Sequence, residues 1–212
     1  VELRRDERGL ALVGDGMELR GDFSRMLPRL RHDRLGRELL VKAARVRGVD
    51  EPTAVDCTAG LGEDSLLLAA AGFRVTLFER DGTILALLGD ALERAVADPQ
   101  LAGIVARMEL VGGDSIEGLA SLGFAPDVVY LDPMFPGRTK SAAVKKKFQL
   151  LHHLEQPCEE EEALVQAALA AHPRKVVIKR PPKGPELAGI KPSYTVCGKA
   201  VRYDVLVPPP IA

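Results

Sequence analysis

The stretch "VDCTAGLGEDSLLLAAAGFRVTLFER", residues 55–80, holds the pattern that decides the fold. A short apolar run leads into a loop with two glycines, Gly60 and Gly62, and the loop opens into a helical pattern that Gly72 ends. A second apolar run, residues 74–79, follows at once. Strand, glycine loop, helix and strand in this order are typical of a βαβ unit, whose two strands lie parallel in one sheet.

The same alternation of strand and helix continues after this unit. Strands are predicted at 53–57, 74–79, 107–113, 127–132 and 175–180, and helices at 64–71, 82–97, 141–154 and 159–171. Residues 194–207 read as two strands joined by a short turn. The pattern predicts a doubly wound α/β fold with a mostly parallel sheet and an antiparallel C-terminal strand. Ligands of such folds bind at the carboxyl ends of the strands.

The N-terminal residues follow a different pattern. "LALV" and "MELR" flank a Gly-Asp-Gly turn, which predicts a β-hairpin. Residues 34–46 then show the spacing of an amphipathic helix. We therefore expect a small β extension over residues 1–30 and one larger domain over residues 31–212.

Composition excludes several classes of protein. Of the 212 residues, 46% are hydrophobic and 28% are charged, which is typical of a globular domain and argues against disorder. No apolar run approaches the roughly 20 residues that span a bilayer, and no signal peptide is visible. The three cysteines lack the spacing of a metal site, so reduced thiols, no bound metal and a cytoplasmic location are expected.

Positive charge is unevenly distributed, although the net charge is only −1. Residues 20–47 hold nine Lys or Arg against three acids, which gives +6, and residues 137–148 add +5. Two basic segments in a neutral protein indicate either a basic face that meets a polyanion or scattered, solvated side chains. Lys179 and Arg180, which end the strand 175–180, are also placed near the ligand-binding edge.

The glycine loop departs from a dinucleotide-binding fingerprint. That fingerprint requires a third glycine at position 65, where this chain has Ser65. Asp56 precedes the loop and Glu63 and Asp64 follow it, and these carboxylates would repel a pyrophosphate. A cationic cofactor such as S-adenosylmethionine, with its sulfonium and amino groups, fits better. Asp56 and Asp64 also have an alternative interpretation as capping or structural acids.

Acidic and polar residues follow the next two strands as well. Glu79 lies 17 residues beyond Gly62, close to the spacing of about 20 at which an acid binds ribose hydroxyls. Asp114 and Ser115 come after the third strand, where a carboxylate can accept from an adenine amino group. Together with the glycine loop, they predict an S-adenosylmethionine site.

The fourth strand ends in "YLDPMFP", residues 130–136, which is either a simple turn or part of an active site. The sequence resembles the D/N-P-P-Y/F motif of methyltransferases that act on exocyclic amino groups of bases, with Met134 in place of the second proline. In that interpretation Asp132 accepts from the amine, Pro133 fixes the backbone and Phe135 stacks on the base.

The runs "VDCTAGLGEDSLLLAAAGFRVTLFER", "VVYLDPMFP", "KSAAVKKKF" and "VVIKRP" together resemble the RsmJ family. Its members are S-adenosylmethionine-dependent methyltransferases of guanine N2 in 16S ribosomal RNA, which implies a Rossmann-like class I methyltransferase sheet and either that RNA or the small subunit as partner. By this resemblance the cofactor contacts fall on Glu63, Asp64, Glu79, Arg80, Asp114, Ser115 and Asp132. At Glu63 the chain departs in charge, since the family often has a basic residue there, and a backbone contact is expected instead.

A basic follow-on to the fourth strand provides the candidates for phosphate contacts. These residues are Arg138, Lys140, Lys145, Lys146 and Lys147. Aromatic residues make up only 4% of the chain, so RNA binding would depend on charge and shape rather than on stacking. Two alternatives stay open at this point: an NAD(P)-dependent oxidoreductase on the same fold, and a non-catalytic RNA-binding factor in ribosome assembly.

Overall fold

A computed structural model describes residues 1–133 and 160–209 of the chain. It begins with a small antiparallel sheet of three strands, in the order β1-β2-β3. The strands are β1 (Glu2–Asp6), β2 (Gly9–Gly14) and β3 (Met17–Leu19). The hairpin predicted around the Gly-Asp-Gly turn is the β2–β3 pair. β1 was not predicted, because its mainly exposed and charged residues lack an apolar alternation.

A sheet of seven strands forms the centre of the larger part. Its strands are β4 (Thr53–Asp56), β5 (Arg74–Glu79), β6 (Met108–Gly112), β7 (Val128–Leu131), β8 (Lys175–Arg180), β9 (Tyr194–Cys197) and β10 (Arg202–Leu206). They lie in the order β6-β5-β4-β7-β8-β10-β9. The first five in this order are parallel, while β10 runs antiparallel to both of its neighbours. The predicted doubly wound sheet with an antiparallel C-terminal strand is therefore confirmed.

Helices cover both faces of this sheet. They are α1 (Leu27–Leu30), α2 (His32–Leu35), α3 (Leu39–Ala44), α4 (Glu63–Ala70), α5 (Gly82–Val96), α6 (Ala102–Val105), α7 (Ser115–Ala120) and α8 (Glu161–Ala170), with 3₁₀ turns at Phe23–Met26 and Leu187–Gly189. Within the described ranges, none of these helices has the length and apolar character needed to cross a membrane.

The central strand β7 shows how the two faces share the core. Val128 and Tyr130 point into the cluster that contains α3, α4 and α5, whereas Val129 and Leu131 point into the cluster with α7 and α8. All four side chains are buried, and burial of an apolar side chain of this size contributes about 1.5–3 kcal/mol. A strand buried on both faces is rigid, so the residue that follows it is held in a defined place.

The N-terminal sheet packs on α5 through a third apolar cluster, which includes Leu12 and Ile84. The buried Asp90 of α5 ties the two parts together, because its two carboxylate oxygens lie 2.8 Å from Nη1 of Arg5 and 2.7 Å from Nε of Arg94. The division of the chain at residue 30 stays a prediction.

One helix that the sequence predicted was wrong. The continuous helix predicted over residues 34–46 is replaced by α2 and α3, with an interruption between them. Gly36 weakens the helix at this point, and Glu38 has extended backbone angles. The Glu38 carboxylate instead accepts two hydrogen bonds from Arg29, at 2.9 and 2.8 Å. The predicted helix at 141–154 lies outside the described residues.

Candidate active site

The five parallel strands all end along one side of the sheet, which we call the carboxyl edge; the opposite side is the amino edge. Most of the described residues that the sequence singled out lie at or just beyond the carboxyl edge. Asp56 ends β4, Glu79 ends β5, and Asp132 directly follows β7. Sequence positions that lie far apart are thus brought to one place by the parallel arrangement.

The loop between β4 and α4 requires its two glycines for different reasons. Gly62 has φ of +75°, and a Cβ added there would lie 2.7 Å from the Leu88 side chain and 3.2 Å from the ring of Phe23. Close packing against Leu88 of α5 and against Phe23 therefore requires a glycine at position 62. Gly60 also has positive φ, +54°, but among the described residues only the backbone oxygen of Thr58 lies within 4.0 Å of an added Cβ. The open space over Gly60 is where a ligand can approach the backbone closely.

Glu79 joins the end of β5 to this loop. Its carboxylate accepts hydrogen bonds from the backbone N–H of Gly60 at 3.0 Å and of Asp81 at 2.9 Å. Burial raises the pKa of Glu79 above its ordinary value. A carboxylate has about four acceptor positions, so two backbone donors leave capacity for further donors such as ribose hydroxyls.

Asp56 lies beneath the loop and is only 1% exposed. It accepts from the backbone N–H of Thr58 at 3.0 Å and from the hydroxyl of Ser65 at 2.5 Å. Burial raises the pKa of Asp56 to about 7. These contacts support the loop from below, which corresponds to the structural role that the sequence left open for this residue.

An ammonium group bridges two carboxylates at the centre of the edge. Lys179 Nζ, at the end of β8, lies 2.6 Å from Asp64 Oδ2 and 2.8 Å from Asp132 Oδ2. Although burial opposes its charge, the two carboxylates raise the pKa of Lys179. Burial likewise opposes the charge of Asp64, but Lys179 holds the pKa of Asp64 below its ordinary value. Lys179 and Asp64 therefore both carry their charge.

Two further contacts fix this cluster in place. The hydroxyl of Tyr130 donates to Asp64 Oδ2 at 2.6 Å, and the backbone N–H of Asp132 donates to Thr58 Oγ1 at 2.7 Å. Tyr130 was not predicted as a site residue, because a tyrosine inside an apolar strand carries no signal beyond burial. Lys179 was predicted near the edge, but without these partners.

At the other end of the edge, Asp114 follows β6 and caps α7. Its carboxylate accepts from the backbone N–H of Ile116 at 2.7 Å and lies 3.8 Å from Nη1 of Arg80. Ser115 is the first residue of α7, and burial raises the pKa of the neighbouring Cys57 thiol. Asp114, the acid predicted after the third strand, is thus held at the carboxyl edge with its side chain half buried.

The remaining predicted site residues divide into two groups. Glu63 is exposed as the first residue of α4, and Pro133 is buried directly after Asp132. The predicted stacking residue and the predicted phosphate contacts lie outside the described residues: Phe135, Arg138, Lys140, Lys145, Lys146 and Lys147. In the described part of the chain, no group of three or more His, Cys, Asp or Glu is arranged to hold a metal ion.

Taken together, the described edge collects four carboxylates near a loop with open backbone. The four are Glu79, Asp64, Asp132 and Asp114, with Lys179 beside Asp64 and Asp132 and Arg80 beside Asp114. Carboxylates concentrated around such a loop favour a cationic ligand over a pyrophosphate.

Comparison with known proteins agrees with this geometry. Residues 7–208 match the family described as "Putative SAM-dependent methyltransferase". Ribosomal RNA small subunit methyltransferase J of Pseudomonas aeruginosa PAO1 is 49% identical over 169 residues, which are 79% of this chain and 65% of that protein. The protein of the same name from Neisseria meningitidis serogroup B is 40% identical over 206 residues, covering 96% of this chain and 82% of that one. The chain thus spans slightly less than two thirds of the Pseudomonas relative.

A solved structure shows the same fold. The crystal structure of the SAM-dependent methyltransferase NGO1261 from Neisseria gonorrhoeae superposes with a TM-score of 0.76 at 35% sequence identity. The superposition covers 94% of this chain and 79% of that one. The sheet predicted from the sequence is therefore of the class I methyltransferase type.

Proposed function

The chain belongs to the family of ribosomal RNA small subunit methyltransferase J, and we propose that it methylates the exocyclic N2 of a guanine in 16S ribosomal RNA with S-adenosylmethionine. The observation that carries the proposal is Asp132, which β7 delivers to the acid-rich edge and which Thr58 and Lys179 hold there. Membership of this family sets aside the oxidoreductase alternative.

The residues at the edge fit this cofactor. The space over Gly60 admits a ligand against the backbone, and Glu79 beside it retains acceptor capacity for ribose hydroxyls. Asp114, at the end of the neighbouring strand, is placed for the adenine amino group. The negative charge of Asp64 suits the amino and sulfonium groups. When bound, the cofactor supplies an electrophilic methyl group.

Asp132 acts on the other reactant, the amine of the base. The lone pair of an aromatic amine is delocalised into its ring, so a carboxylate that accepts from its N–H group makes the nitrogen a better nucleophile. In transfer, the amine nitrogen would bond to the methyl carbon as the carbon–sulfur bond of the sulfonium breaks and S-adenosylhomocysteine leaves. The proton that the nitrogen loses would pass to Asp132 or to water. Lys179 holds the Asp132 carboxylate in place through a contact of 2.8 Å, which makes Lys179 a positioning residue.

Three expectations from the sequence stay predictions within this proposal. Two of them are stacking of the base on Phe135 and phosphate contacts by the basic residues of segment 138–147. These residues lie outside the described part of the chain. The cytoplasmic location is expected from the nature of the substrate, since ribosome assembly takes place there. We also expect the substrate to be either free 16S ribosomal RNA or the small subunit.

The experiment that tests the proposal is transfer of labelled methyl groups from S-adenosylmethionine to 16S ribosomal RNA and to small subunits. Asp132→Ala is expected to abolish transfer while S-adenosylhomocysteine still binds in calorimetry. Asp98→Ala, at a half-buried acid in the turn after α5, is the matched control and should leave transfer unchanged. Undiminished transfer by Asp132→Ala would remove its assigned role. Cofactor binding by the wild-type protein without transfer to either substrate would favour the non-catalytic assembly factor.

A further inference from the structure

The segment formed by α1 and α2 carries a concentration of arginines that the catalytic proposal does not use. We call these residues the arginine rim: Arg29, Arg31, Arg34 and Arg37. With Asp33 as the one acid between positions 29 and 37, the segment has four positive charges against one negative, or +3. Such a density of one charge on a short exposed segment is typical of a surface that meets a polyanion.

The course of α3 places this rim at the carboxyl edge. Leu39, which begins α3, packs against Gly198 in the turn between β9 and β10. That turn lies at the carboxyl edge, because the first residue of β10, Arg202, pairs with the last residue of β8, Arg180. The rim directly precedes Leu39 in the chain and therefore lies at the same edge.

The other end of α3 lies at the amino edge. Lys175 begins β8, and its ammonium group donates to the carbonyl oxygens of Ala43 at 3.3 Å and of Arg45 at 2.7 Å. Arg45 and Arg47, which follow α3, therefore lie at the amino edge, at the opposite ends of the strands from Asp132. They are exposed cations without an acidic partner among the described residues, so they form a natural control pair.

Fixed contacts join the rim to the site. Phe23 is buried against Gly62 of the glycine loop, and Met26 joins the main core just before α1. Arg29 is held by the Glu38 carboxylate, and its charge helps to lower the pKa of Asp64. The arginine rim is thus packed beside the glycine loop and Asp64 and is not a detached segment.

Arg34 and Arg37 are the members of the rim most available to a ligand. Both are exposed, and no acid pairs with them in the part of the chain that the structure describes. Arg31 pairs with Asp33 at 3.3 Å, but the two side chains are 67% and 62% exposed, so a phosphate can compete for Arg31. Guanidinium groups bind phosphate oxygens in a bidentate manner, which suits this role.

We propose that the arginine rim binds backbone phosphates of the ribosomal RNA beside the target nucleotide and so positions the base at Asp132. This inference rests on the proposed function for the identity of the RNA. It assigns RNA contacts to residues 29–37 at the carboxyl edge, in addition to the segment 138–147 that the sequence indicated.

The test compares two double variants with equal loss of charge, Arg34→Gln with Arg37→Gln at the rim and Arg45→Gln with Arg47→Gln at the amino edge. Binding of 16S ribosomal RNA transcribed in vitro is measured by filter retention between about 50 and 200 mM salt. The rim variant should weaken binding about tenfold and lower the log–log salt slope by about 1.4, since each phosphate contact to a single strand contributes about 0.7. The amino-edge variant should match the wild type in both quantities.

Transfer assays complete the test, because a docking role predicts a raised KM for RNA with little change in kcat. Calorimetry with S-adenosylhomocysteine and thermal unfolding should be unchanged in both variants, which shows that the fold is intact. Equal weakening by the two variants, or a rim variant that binds like the wild type, would overturn the inference. If the wild type binds this RNA through the rim but transfers no methyl group, the docking surface stands and the proposed function fails.

Discussion

The two ends of the strand pair β4–β7 are built alike but differ in what their carboxylates do. At the amino end the backbone N–H of Asp127 donates to Thr53 Oγ1 at 3.0 Å. At the carboxyl end the backbone N–H of Asp132 donates to Thr58 Oγ1 at 2.7 Å. In each case a threonine hydroxyl next to one strand receives the N–H of an aspartate next to the other.

The carboxylates then turn in opposite ways. Asp127 Oδ2 accepts from the backbone N–H of Thr53 at 2.8 Å and from its hydroxyl at 3.1 Å, so the group closes onto the neighbouring strand. The Asp132 carboxylate instead meets the side-chain ammonium of Lys179, which it shares with Asp64. The first arrangement fastens the sheet, and the second holds charge at an edge that a ligand can reach. The predictions below test this division between structural and functional acids.

The largest effect is expected for Lys179→Met. Removal of the ammonium leaves Asp64 and Asp132 without their shared counter-charge, which should cost about 3 kcal/mol of stability. Methyl transfer should fall by about 100-fold or more, because Asp132 loses the contact that orients its carboxylate. Initial rates at saturating substrates and urea unfolding curves provide the two measurements.

Lys179→Arg separates positioning from simple loss of the fold. It keeps the positive charge, so it should recover most of the stability and shift the pH profile of transfer less than Lys179→Met does. Full activity in a folded Lys179→Met protein would show that the ammonium is unnecessary and that the two ends of the strand pair do not differ as described.

Asp127→Ala is the matching change at the amino end. It removes the acceptor for the Thr53 backbone N–H, and we expect the free energy of unfolding to fall by about 3 kcal/mol. Affinity for S-adenosylhomocysteine should stay within error of the wild type, because the change lies at the opposite edge. Urea unfolding and calorimetry measure both quantities, and a clear loss of cofactor affinity would contradict a purely structural role.

The third prediction concerns Asp56, which ends β4 at the carboxyl edge yet lies buried beneath the loop. Its folded pKa of about 7 lies above its ordinary value of 3.8, so the folded state holds the proton more tightly than the unfolded state. The contribution of Asp56 to stability is therefore greatest below about pH 4 and is lost as the pH rises towards 7, by up to about 1.4 kcal/mol per pH unit.

Asp56→Asn isolates this contribution. The amide can still accept from Thr58 and can donate to Ser65, so the fold should persist. Between pH 5 and pH 7 the wild type should lose about 2 kcal/mol relative to the variant. Unfolding curves of both proteins at several pH values measure the difference. A difference that is constant with pH would mean that Asp56 is ionised throughout this range.

Local sequence patterns were sufficient for most of the fold. The limits of β5 and β8 were predicted as observed, because each is a run of alternating or continuous apolar residues with clear ends. The helix over 34–46 failed because the pattern is blind to the contact between Arg29 and Glu38, which holds the chain extended between two helices.

Site residues were predictable only where they follow directly on a predicted strand. Asp132 and Glu79 do so, since each follows an apolar run. The contacts of Tyr130 and Lys179 with Asp64 join residues 66 and 115 positions apart, and no local spacing encodes such contacts. The sequence therefore indicated which edge would hold the acids but not which of them support the fold and which face the ligand.

The smallest effect is expected for Arg174→Gln, which completes the comparison at the amino end. Arg174 Nε lies 3.0 Å from Asp127 Oδ1, but its side chain is 60% exposed, so solvent and salt screen the pair. We expect a loss of at most about 0.5 kcal/mol, smaller still in high salt. The measurement is urea unfolding at two salt concentrations, beside Asp127→Ala. A loss close to that of Asp127→Ala would place the strength of this end in the ion pair rather than in the bonds from Thr53. The contacts of Asp127 would then stabilise the sheet mainly through charge, as those of Lys179 do. The two ends of the strand pair would differ only in how exposed their charged side chains are.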